Sequence, residues 1–287
     1  MNGADPPMEK WLKYGALTLC SLLTILQWQA VAQRDDPALL ATNFLIFVAI
    51  GSLLWEKRRS LPVQSGWAGS LLGFVLVLLV LLRSLARSGY QPQISLFIAG
   101  IGLCLLVAGG QGLKHYWREL AIASLLMVDP ILVSLLQALN LPLMTAHFST
   151  VVLSTLGFNA RQQGLFILLP AGRVEVYGVC SGIDSIVQMV NLAVILALIL
   201  PVKPWAKYLS FILAPAIGFG VNALRVALLT FLISESNMTA FHYWHDNPNA
   251  SGVFFLIAAA LLLVFHYGCL RYGQGSELVG QSDTLPR

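Results

Sequence analysis

Charged side chains are scarce in this chain: they make up 10% of 287 residues, while 57% are hydrophobic. With a mean hydropathy of +0.76, that balance excludes a soluble globular domain. The net charge is only +4 and is dispersed, so neither nucleic acid nor an acidic partner is implied. Cysteine is sparse too. The four thiols, at 20, 104, 180 and 269, have neither metal-ligand spacing nor the pattern of a disulfide framework. Three of them fall inside apolar runs, where cysteine behaves as a small hydrophobe, and Cys180 does not. Internal repeats and low-complexity tracts are also missing.

What is present is a succession of apolar runs near membrane-spanning length. On the criterion of ~20 residues for a ~30 Å hydrocarbon core, eight spans are expected. They cover 14–33, 38–56, 67–87, 93–113, 118–138, 181–201, 206–232 and 252–270. The expected fold is therefore an all-α, polytopic helical bundle, one membrane domain over 1–272 followed by a disordered cytoplasmic tail at 273–287. Ala30-Val31-Ala32 has the small-residue form of a signal cleavage site, but Asp5, Pro6, Pro7 and Glu9 make a poor basic n-region. Cleaved or retained, this first segment leaves the downstream topology unchanged.

Basic residues set the expected orientation. With the N-terminus inside, the cytoplasmic pieces carry Lys10, Lys13, Lys57, Arg58, Arg59, Lys114, Arg118, Lys203, Lys207 and Arg271. The outward loops hold Arg34, Arg83, Arg87, Arg161 and Arg173, with Asp35 and Asp36 beside the first. That distribution follows the positive-inside rule and puts both termini in the cytoplasm. Cys180 then lies at the outer end of its span, Arg225 roughly 10 Å below the outer end of the next at 1.5 Å per residue, and His245 in the outward loop beyond. All three converge on the extracytoplasmic face.

The long outward segment at 139–180 has two parts. Thr145 to Gly157 is expected to lie in the membrane interface. Gly164 to Val176, apolar and β-branched around Pro170, reads as a short hairpin or extended pair that delivers Cys180 to its helix.

The residues that suggest chemistry are few. Cys180 sits in Gly178-Val179-Cys180-Ser181-Gly182 at an expected helix N-terminus, where unpaired N–H groups and the helix dipole favour a thiolate. The glycines leave room for a substrate backbone. The alternative is a cysteine filling a tight turn. Helical spacing predicts Cys180, Asp184, Gln188 and Asn191 on one stripe; for the last two, hydrogen bonding between helices is the simpler reading. Arg225 is the only basic residue well inside a span, with Asn222 three residues before it on the same face. Intramembrane charges usually mark sites, so Arg225 is read as a thiolate partner or oxyanion stabiliser, or else as an ion pair with Asp184. In Phe241-His242-Tyr243-Trp244-His245-Asp246, one histidine would serve as general acid and base; His245 is preferred, with Asp246 orienting it if the turn permits.

Cys180-Ser181-Gly182-Ile183 opening a span, Asn222-Ala223-Leu224-Arg225 in the next and the histidine before the last together resemble the exosortase/archaeosortase family of membrane sorting transpeptidases. The resemblance covers roughly residues 90–270, and His245 to Gly252 is longer than the spacing of many members. It implies a cysteine transpeptidase with catalytic Cys180, Arg225 and His245, supported by Asp184 and Asn222. Its substrates would be exported proteins with a C-terminal sorting signal: a Pro-Glu-Pro-like motif, a membrane helix and a basic cluster. They would be cut through a thioester on Cys180 and passed to a surface acceptor, lipid or polysaccharide. No metal or organic cofactor is implied, and the location would be the inner membrane. Two other classes compete: a non-enzymatic factor in exopolysaccharide assembly, and a secondary transporter using Asp184 and Arg225.

Overall fold

The computed structural model describes residues 7–34, 37–57, 66–86 and 91–282. Arg58, Arg59, Arg87, Asp35 and Asp36, used above for orientation, lie outside the described residues. The chain divides into two compact units, Met1–Asp129 and Pro130–Arg287.

The first unit holds α1 (Pro7–Ala32), α2 (Pro37–Lys57), α3 (Trp67–Ala86), α4 (Pro92–His115), α5 (Trp117–Ala123) and the start of α6 (Leu125–Gln137). Small residues let α3 and α4 touch backbone to backbone: a Cβ on Gly73 would lie 2.6 Å from the Gly102 carbonyl oxygen. Such close approach is how helices associate where apolar burial gives them no advantage over lipid. Several buried polar groups are satisfied internally. The buried Gln27 amide donates to Asn43 Oδ1 at 3.3 Å and to the Pro92 carbonyl at 2.8 Å. Lys57, ending α2, pairs with Glu119 of α5 at 2.9 Å.

The second unit continues with α7 (Leu141–Thr155), β1 (Arg161–Gln163), β2 (Phe166–Leu169), β3 (Gly172–Glu175), a 3-10 turn (Gly178–Cys180), α8 (Ile183–Ile199), α9 (Pro204–Ser234), α10 (Met238–Asp246) and α11 (Pro248–Ser282). The strands form an antiparallel meander in the order β1-β2-β3. The expected hairpin is β2–β3, with Leu169 opposite Gly172 across Pro170-Ala171. Ile167, Leu169 and Val176 turn one face of this small sheet onto Ala146 and Leu153 of α7 and Val226 and Ala227 of α9.

Each expected apolar stretch is helical, yet fewer helices qualify as spans. By length and composition, five described helices are able to cross a membrane: Leu39–Lys57, Trp67–Ser84, Pro92–His115, Pro204–Ser234 and Gly252–Arg271. The stretch expected at 118–138 is a bent pair, α5 and α6, at 45°, which would make a sixth if it crosses as one. The remaining two apolar helices, Thr18–Ala32 and Ile183–Ile199, are shorter. The segment at 145–157 is helical through Thr155 and packs on α9, with Thr145, Ala146, Ser149 and Leu153 buried. Helix α11 runs through Ser282, into the stretch read as a disordered tail, and 283–287 lie outside the described residues.

Candidate active site

The cysteine turn hangs between two helices. Thr145, on α7, donates its hydroxyl to the Ser181 carbonyl at 2.9 Å. Asn222, on α9, donates its amide to the Cys180 carbonyl at 3.0 Å. One turn along α7 from Thr145, Ser149 donates to the Ala223 carbonyl at 2.8 Å and ties the two helices to each other. All these side chains are buried. Two successive carbonyls of the turn are thus held by side chains of different helices. A buried carbonyl left without its donor costs ~1–3 kcal/mol, so each contact constrains the turn.

Helix α8 begins at Ile183, two residues later than expected. Gly182 adopts a left-handed φ of 90°, which ends the 3-10 turn and lets the chain change direction into the helix. A Cβ there would lie 2.9 Å from Asn222 Nδ2. Cys180 therefore stands before the helix, so the expected stripe from Cys180 through Asp184 is broken. Asp184, Gln188 and Asn191 do share α8, with Asp184 exposed in its first turn and Asn191 buried.

The expected preference for a thiolate meets an opposing effect. The Cys180 side chain is buried, and burial pushes its thiol above the usual cysteine range; the nearby Arg225 guanidinium opposes the shift more weakly. Two of the turn's amides are already engaged. The Cys180 N–H donates to the Tyr177 carbonyl at 3.1 Å and the Ser181 N–H to the Gly178 carbonyl at 3.0 Å. The upward shift favours the neutral thiol, for which a neighbouring base would matter.

A base is at hand. His245 places Nε2 3.9 Å from Cys180 Sγ. Its Nδ1 lies 2.6 Å from Asp246 Oδ1, and its ring stacks on Phe241 at 5.1 Å between centroids. A carboxylate on Nδ1 holds the proton there and leaves Nε2 free to accept one from the thiol. The other oxygen of Asp246 is 2.7 Å from His242 Nδ1. Although exposed, the Asp246 carboxyl is held below the usual carboxylate range by its hydrogen bonds with His245, then His242.

Arg225 is buried on α9, three residues after Asn222 and nine before the helix end, about 14 Å at 1.5 Å per residue. Cys180, Asn222, Arg225 and His245 are thus brought together from three segments of the second unit. His242 touches Asp246 and stands further out, its side chain 62% exposed against 33% for His245.

Sequence reasoning missed Thr145 and Ser149. Their spacing of four, with Ala146 and Leu153 beside them, was the available signal of a helix face buried against protein. Among the described residues, no three His, Cys, Asp or Glu side chains are grouped to hold a metal. In comparisons with known proteins, a family model described as transmembrane exosortase matches residues 35–264. No curated protein and no solved structure matches.

Proposed function

The chain belongs to the transmembrane exosortase family, and from that premise we propose that it is a cysteine transpeptidase that removes the C-terminal sorting signal of exported proteins. The observation that supports this most is the line from Asp246 through His245 to the Cys180 sulfur, with a buried guanidinium beside the thiol.

The chemistry follows from those groups. His245 Nε2 takes the thiol proton, and the sulfur attacks the scissile carbonyl carbon. Negative charge collects on that oxygen. The amides of Cys180 and Ser181 are engaged within their own turn, and the Arg225 guanidinium is the positive group near the sulfur that would stabilise it. As the C–N bond breaks, the imidazolium returns its proton to the leaving amine. The new C-terminus remains as a thioester on Cys180. A nucleophile from the acceptor then loses its proton to His245, attacks the thioester and releases the thiol.

In this reading the protein is a multi-pass inner-membrane enzyme with both termini cytoplasmic and the site facing outward. Its substrates end in a Pro-Glu-Pro-like motif, a membrane helix and a basic cluster, and the acceptor is a surface lipid or polysaccharide. Asp184, in the first turn of α8, supports the site's polarity.

The test is a mass-resolved gel assay of a reporter with such a tail, co-expressed with wild type or Cys180→Ala. Tail loss that depends on Cys180 supports the reading. Equal processing by both, with the variant confirmed in the membrane, removes Cys180 as nucleophile and favours a non-enzymatic assembly factor.

A further inference from the structure

The register of the small sheet says which of its hydrogen-bonding groups are used. The Val176 N–H donates to the Leu165 carbonyl at 2.9 Å, so 176 and 165 form a hydrogen-bonded pair. Antiparallel ladders alternate, so Val174 with Ile167 and Gly172 with Leu169 are bonded pairs as well. The N–H and C=O groups of Arg173 and Glu175 then point away from β2. Among the described residues these outward groups have no hydrogen-bond partner.

The two edges of the sheet differ. On β1 the side chain of Gln162 is tied across to α7: its amide donates to the Leu143 carbonyl at 3.3 Å and its oxygen lies 3.1 Å from His147 Nδ1. On β3, helix α9 lies under the face and not along the edge. A Cβ on Gly172, which would point out of the sheet plane, would meet Ile233 Cγ2 at 2.6 Å. Arg173 and Glu175 extend their side chains from the opposite face, and both are exposed. Beyond the strand the chain passes through Tyr177 and Gly178 to the thiol. Gly178 has a left-handed φ of 51°, and the space where its Cβ would stand is open.

We propose that the β3 edge is the docking site of the polypeptide substrate, which adds as a further extended strand beside Arg173 and Glu175 and so runs on across Gly178 to Cys180. This rests on the transpeptidase reading above. An unpaired edge of alternating N–H and C=O groups is matched by another extended backbone, which is the group that a peptide-cutting thiol must receive. Main-chain pairing holds the chain regardless of most of its side chains.

Proline tests a backbone role directly, because it removes the outward N–H and crowds the edge while leaving the inner ladder bonds intact. The probe is a reporter ending in Pro-Glu-Pro, an apolar helix and a basic cluster. Arg173→Pro and Glu175→Pro should each cut its processing by about tenfold or more, the worth of one or two hydrogen bonds. Arg173→Ala and Glu175→Ala should stay within about threefold. Alkylation of Cys180 by a small maleimide reports whether the turn is intact, and it should proceed at the same rate in all four variants. Proline variants that process like wild type overturn the proposal, as do alanine variants that lose as much as the proline ones. A second readout needs no catalysis. In a Cys180→Ser background, Glu175→Cys should form disulfides with reporter cysteines placed at every second residue. Cross-links without that alternation, or to a second copy of the enzyme instead, overturn strand addition. The alternating pattern without tail loss in the wild type would sink the transpeptidase reading and leave the docking site standing.

Discussion

Asn222→Ala should make Cys180 easier to reach and worse at its task. The Asn222 amide is the side-chain donor holding the Cys180 carbonyl, at 3.0 Å in a buried setting. Removing it forfeits a bond worth about 1 kcal/mol and leaves a buried carbonyl unsatisfied, for a local loss of ~2 kcal/mol. The turn relieves that loss by moving, since Gly178 and Gly182 flank it and both have backbone freedom. At ~1.4 kcal/mol per factor of ten, the opened form gains about 30-fold in population. Two assays should then move in opposite directions. Maleimide labelling of Cys180, which is only 5% exposed in the closed turn, should accelerate by roughly that factor. Reporter processing should fall, because the sulfur no longer keeps its place against His245. A drop in processing with unchanged labelling would refute the reasoning, since it would mean that Asn222 acts on the substrate and not on the turn.

Asp246→Asn should lower processing by roughly ten- to a hundredfold through loss of tautomer control, less than for a buried triad because this carboxylate is exposed. His242→Ala should stay within about threefold, as its contact with the pair is to the far oxygen of Asp246; single-turnover rates of the two variants compare them, and the reverse ranking would reassign the base to His242. Because burial raises the Cys180 thiol, its alkylation rate should climb steadily with pH through about 9 without reaching a plateau. Arg225→Leu removes the opposing influence and should slow alkylation at any pH in that range, as read by stopped labelling and mass spectrometry. Gly182→Ala forces a side chain into a left-handed φ of 90° and against Asn222. It should cost ~1–2 kcal/mol, visible as a lower thermal midpoint in detergent.

Much of this was legible from apolar run length alone, because every backbone group in a bilayer must be satisfied within its own segment. Alternating span direction predicts Cys180 near His245; the structure brings them to 3.9 Å, while five or six of the eight expected spans qualify among the described helices. Errors arose where a local conformation decided the outcome. No pattern announces that Gly182 takes a positive φ, and that one angle moved Cys180 off the helix and broke the expected stripe with Asp184. Burial, likewise, outweighs the electrostatic help expected at Cys180, and burial is a tertiary quantity. The contact of helix α7 with α9 was not legible because apolar residues suit an interface as well as a protein contact; the buried hydroxyls at 145 and 149 show a protein-facing side only once α9 is beside them. Strand β1, Arg161–Gln163, is too polar to be recognised without its partner β2.

Helix α8 has 17 residues, about 26 Å at 1.5 Å per residue, some 4 Å less than a typical hydrocarbon core. Thinning of the surrounding bilayer is one way a span that short is accommodated. Were α8 to cross the bilayer, the lipid surface would dip where the cysteine turn emerges, and the thiol would work in a shallow dimple below the surrounding head groups. A tail-anchored chain diffusing in the same membrane would then meet the sulfur where its own helix first leaves the lipid. A soluble peptide with the same residues would have to descend to reach it.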